Sequence, residues 1–164
     1  MKHVTCITIN TDASFCPETG ASGYAFYAIC DNFKIMKSGN FKKKPTVSWE
    51  AELFCLGNAI HTVLSQTDLP ESKHIVINTD CDSMIGMLNR PQDKIKQKWG
   101  VPVKQVHMLA GRLKNVCKTP KKNLKYRHVK AHTSIKDART WVNNWCDKEA
   151  KKWMNREREQ FRNK

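Results

Sequence analysis

The sequence predicts a mixed α/β domain, five strands in one sheet with helices packed against it. Three observations carry that expectation. Short β-branched apolar runs fill much of the first half, bounded by Gly, Pro, Asn and Asp. Later segments change to helical spacing, and the elements fall in the order β-β-β-α-β-α-α-β-α, which a sheet with both antiparallel and parallel pairs accommodates. At 164 residues with 40% hydrophobic composition, the chain has the length of one ordinary domain, so residues 1–164 are read as a single unit.

Residues 3–12 and 22–31 are rich in Ile, Val, Thr, Tyr and Phe, and the SFCPETGA turn between them pairs the two as strands. A third strand is expected within 33–43, after the Asp31-Asn32 turn and before Pro45. Helical spacing runs from Ser48, a plausible N-cap, to about Leu64. A strand at about 73–80 and a short helix near 82–89 follow, the helix closed by Asn89-Arg90-Pro91. A basic helix pair is expected over about 92–117, a last strand over 123–129, and a final helix from about Ala138 into the charged tail 154–164.

Charge narrows the partner. With 29 Lys and Arg against 15 Asp and Glu, the net charge is +14, which favours a polyanion bound through its phosphates. No stretch approaches the roughly 18 apolar residues of a membrane span, and no signal-peptide pattern opens the chain, so the expected compartment is the cytoplasm, or that of a host cell. The seven cysteines include no CxxC pair and read as reduced thiols, mostly packed in the core.

The tetrapeptide INTD occurs twice, as Ile9-Asn10-Thr11-Asp12 and Ile77-Asn78-Thr79-Asp80. Both place an aspartate where an apolar strand is expected to end, and parallel neighbours would bring Asp12 and Asp80 together. Two such carboxylates repel one another unless a cation joins them, and an all-oxygen cluster suits Mg²⁺ or Mn²⁺. In the helix at 48–64, about 100° per residue places Glu52 on the apolar stripe of Leu53, Leu56, Ala59, Ile60 and Val63, with Glu50 nearly opposite. A core-facing carboxylate must be paired or coordinated, so Glu52 is the site candidate and Glu50 a solvated first-turn acid. On the last helix Val142, Cys146, Ala150 and Trp153 mark a buried stripe, and Asn143 and Asp147 share a flank at i,i+4 spacing. Taken singly, each of these acids could equally be a turn or surface residue. His132 falls in a loop past a strand end, where its imidazole could exchange protons with solvent.

Read in order, TDAS with SGYAFY, then AELFCLGNAI, INTDCDS, VKAHT and NNWCDKEA resemble the type 1 ribonuclease H family over about residues 3–155. The resemblance implies a ribonuclease H-like fold: three antiparallel strands, then parallel ones, with helices on both faces. It places the family's four metal-binding carboxylates on Asp12, Glu52, Asp80 and Asp147, and its loop histidine on His132. It further implies an endonuclease that hydrolyses the RNA strand of an RNA:DNA hybrid with two Mg²⁺ ions, Mn²⁺ being possible, leaving 3′-hydroxyl and 5′-phosphate ends. Lys94, Lys96, Lys98, Trp99 and Lys104 lie where bacterial relatives carry a basic handle on the DNA strand, a contact without sequence readout. Asn143 is a candidate supporting residue. A monomer without obligate protein partner or membrane contact is expected.

Two departures bear on substrate choice. Ser48-Trp49 stands where bacterial members have an Asn pair before the helix glutamate, and another Asn is replaced near Glu18. Reading the 2′-hydroxyl is what separates RNA from DNA. The competing expectations are therefore a related metal-dependent nuclease for DNA junctions or other structured nucleic acid, and a binding module of the same fold that no longer cuts.

Overall fold

The computed structural model describes residues 5–129 and 138–163. Five strands form one sheet in the order β3-β2-β1-β4-β5: β1 (Cys6–Phe15), β2 (Ser22–Cys30), β3 (Phe33–Gly39), β4 (His74–Thr79) and β5 (Leu124–His128). The first three pair antiparallel, whereas β4 runs parallel to both β1 and β5. On one face lie α1 (Ser48–Leu64), α2 (Asp82–Leu88) and α3 (Gly100–Val116); α4 (Ala138–Arg162) covers β1, β2 and β3 on the other.

Strand periodicity explains the two layers. Ile7, Ile9, Ile75 and Ile77 point to the α1 side and are fully buried with Leu53, Leu56 and Ile60. The alternate positions face α4, where small side chains, Ala25, Cys146 and Ala150, let helix and sheet approach.

The two INTD copies are neighbouring parallel strands in register, Ile9 beside Ile77 and Asn10 beside Asn78. Their asparagines, unexplained by sequence alone, form a buried amide bridge in which Asn78 Nδ2 donates to Asn10 Oδ1 at 2.9 Å. A further contact, Asn10 Nδ2 to the Tyr27 carbonyl at 3.5 Å, reaches β2. Truncating Asn78 to Ala strands a buried acceptor and should cost about 1–3 kcal/mol in denaturant unfolding.

Three local expectations are corrected. β1 does not end at Asp12; only its parallel partner departs there, while pairing with β2 carries β1 on to Phe15. The N-cap of α1 is Val47 rather than Ser48, and no side chain caps it. Glu50, half-buried, instead reaches back past Val47 to accept the Thr46 N–H at 2.9 Å, tying the chain before the helix to its first turn. The 92–117 segment holds one helix rather than two: 3-10 turns at Gln92–Lys94 and Gln97–Trp99 precede α3, separated by an extended Lys96 with ψ 138°. The charged tail stays helical to Arg162 because Glu157, 4% exposed, accepts the Ser22 N–H at 3.1 Å and pairs with Lys44.

Among the described residues no helix is long and apolar enough to cross a membrane. All seven cysteines are free thiols, four of them buried.

Candidate metal centre

The site forms where β1 outlasts β4. Asp12 projects from β1 just beyond the last paired residues Asn10 and Asn78, and Asp80 follows immediately on the end of β4. Glu52 comes from the first turns of α1, on its core-facing stripe. One carboxylate oxygen from each lies within 4.8 Å of the others. Asp147, half-buried on α4, falls outside this trio but is close enough to hydrogen-bond and repel the Asp12 carboxyl, and it accepts Lys151 Nζ at 3.1 Å.

The electrostatics follow from burial and like charge. Burial, then the charges of Asp80 and Asp147, push the Asp12 carboxyl up to about 8, against the stabilising N–H of Ala13 at 2.9 Å. Glu52 is raised well above the usual carboxylate range by burial and then by Asp12 and Asp80. Its Oε2 is buried without a hydrogen-bond partner. Three converging oxygens, an orphaned buried acceptor and mutual repulsion fit a hard divalent cation held by oxygen ligands.

A consequence is testable without substrate. Asp12 binds its proton more tightly folded than unfolded, so stability of the metal-free protein falls as pH rises from about 4 to about 8. In a chelator the melting temperature should be lower at pH 8 than at pH 6. Asp12→Asn should flatten that fall, and saturating Mg²⁺ should oppose it.

Sequence reasoning missed the thiol behind the site. Cys55, one turn past Glu52 and fully buried, lies with Sγ 3.2 Å from the Asp12 carbonyl and 3.4 Å from that of Ala25, donating across the β1–β2 pair. Its place on the stripe beside Glu52 was the available signal. Of the expected nucleic-acid contacts, Lys94, Lys96, Lys98 and Lys104 are exposed, but Trp99 is 5% exposed and stacks on Trp49 at 4.0 Å between ring centroids. Trp99 thus pins the basic segment to α1 and offers no free face to a base. Asn143 is half-buried on α4, and His132 lies outside the described residues.

The sequence model of the RNase H family matches residues 5–155. The chain belongs to the RNase H family. Solved RNase H structures share its fold at low identity. The N-terminal RNase H domain of rv2228c from Mycobacterium tuberculosis superposes with TM-score 0.66 at 14% identity, over 95% of this chain and 98% of that one. RNase H1 from Halobacterium salinarum gives 0.61 at 12%, covering 92% and 98%. LC11-RNase H1, solved in complex with an RNA/DNA hybrid, gives 0.63 at 15%, covering 92% and 97%. No curated protein sequence matches the chain. The RNase H sheet order and the clustered acids therefore coincide in one molecule.

Proposed function

We propose that this RNase H chain, working as one domain, is an endonuclease that hydrolyses the RNA strand of RNA:DNA hybrids, leaving 3′-hydroxyl and 5′-phosphate ends. The observation that carries the reading is the convergence of Asp12, Glu52 and Asp80 within 4.8 Å. With Asp147 beside them, these residues would hold two Mg²⁺ ions, Mn²⁺ serving as a substitute. When bound, the pair supplies an acidified water for in-line attack on phosphorus and charge stabilisation for the departing 3′ oxygen.

The chain's own residues supply position. Asp12 and Asp80 are fixed by the β1–β4 pairing and its amide bridge, and Glu52 by α1. Exposed Lys94, Lys96, Lys98 and Lys104 grip phosphates of the hybrid without reading sequence. The reading needs no side-chain nucleophile, no second copy and no protein partner. LC11-RNase H1, a structural neighbour, binds the same class of duplex.

Incubation with Mg²⁺ and labelled hybrid, duplex RNA, duplex DNA and a four-way junction, beside Asp80→Asn, tests the proposal. Hybrid cleavage that disappears in the variant is the expected result. Junction cutting alone would favour the second reading, which Trp49 motivates by standing where the resemblance expects an asparagine. Tight binding with no cutting would leave a non-catalytic module.

A further inference from the structure

A groove of about 540 Å³ runs over the outer side of α1, away from the metal centre. Its floor is α1 itself, at Phe54, Gly57 and His61. One wall is Lys42 and Lys43, just past β3, and the other is α3, from Pro102 to Leu109. Glu52 and Phe54 are two residues apart, about 200° around the helix, so α1 carries Glu52 on one side and the groove on the other.

The lining has a marked chemical bias. Lys37, Lys42, Lys43 and His61 contribute to it, and no carboxylate does. Lys43 Nζ stands 5.4 Å from the centroid of half-buried Phe54, so cation and ring are presented together. Gly57 leaves the floor open, since a Cβ there would meet only Leu109, at 4.0 Å. A planar anion matches this arrangement better than an acidic helix would: aromatic and apolar surface for a base, ammonium groups for its phosphate, and asparagine and glutamine amides at the edge. The volume suits one or two nucleotides. The α3 wall also starts at Pro102, three residues past the Trp99 that stacks on Trp49, so the groove opens beside the basic segment.

We propose that this groove is a second nucleic-acid contact, taking one or two nucleotides of a single strand that extends from the bound duplex. Phosphates lie against Lys42 and Lys43 and a base lies over Phe54. The strand's origin rests on the hybrid-nuclease reading; the groove's chemistry does not.

The test is fluorescence anisotropy in chelator, where nothing is cut, comparing a blunt hybrid with the same hybrid carrying a short single-stranded extension. The extension should tighten binding about tenfold. Gly57→Leu, which fills the floor without changing charge and suits a helix, should abolish that gain while leaving cleavage of the blunt hybrid in Mg²⁺ intact. Lys42→Glu with Lys43→Glu should also remove the gain. An extension that makes no difference to the wild-type protein, or a gain that survives Gly57→Leu, would overturn the proposal and leave the groove to a protein partner. Extension-dependent binding by a protein that cuts no hybrid would retain the groove and remove the nuclease reading instead.

Discussion

Replacing Glu52 by Gln should reduce hybrid cleavage by about a thousandfold or more, because one ligand charge lost from a divalent-ion site removes several kcal/mol of transition-state stabilisation. The same change should make the metal-free protein more stable near neutral pH, since folding no longer has to hold a proton on, or bury the charge of, a carboxyl that burial and the nearby Asp12 and Asp80 push well above its usual range. Loss of activity with gain of stability separates a ligand from a residue that merely supports the fold. Glu50→Ala is the matched control. It removes the acceptor for the Thr46 N–H and should cost about 1 kcal/mol at the head of α1, with cleavage retained. Thermal melts without metal, Mn²⁺ titration and hybrid cleavage read the three effects; a Glu52→Gln enzyme that still cuts at near wild-type rate would remove Glu52 from the centre.

The second large effect lies in the contact between β2 and α4 rather than in the acids themselves. Gly23 of β2 is pressed against the backbone of α4: a Cβ there would overlap the Ala150 carbonyl oxygen and lie 2.6 Å from the Met154 nitrogen. Backbone cannot rotate away as a side chain can, so Gly23→Ala must lift the helix. About 3 kcal/mol of stability should be lost, lowering the melting temperature by about 10 °C. Cleavage should fall too, because the displaced helix carries Asp147. Gly111→Ala is the contrasting case, for in mid-helix α3 an added Cβ meets nothing within 4 Å, and a gain of about 0.5–1 kcal/mol is expected.

Much of this was legible beforehand because periodicity reports burial. The phase of α1 singled out Glu52, and the repeated Ile-Asn-Thr-Asp foretold that β1 and β4 would pair in register. What stayed hidden depends on neighbours remote in sequence. The basic segment reads as helical from its composition, yet it breaks at an extended Lys96, and the burial of Trp99 against Trp49 joins residues that no local pattern connects. The asparagine bridge was equally invisible, since it exists only once two strands are adjacent. Asp147 was placed by resemblance; its contact with Asp12 depends on how α4 lies across the sheet.

That helix has a temporal meaning as well. Its fastenings, Glu157 to the Ser22 N–H, Glu149 to Ser38 and the Trp153 carbonyl to Asn40, join positions more than a hundred residues apart. Contacts of such long range close late, after the loops they span have been ordered by nearer pairings. The sheet and α1 can therefore gather Asp12, Glu52 and Asp80 before α4 docks and brings Asp147 beside them. Docking order thus makes Asp147 the last of these carboxylates to reach Asp12, whose like charge it adds to only once α4 lies on the sheet.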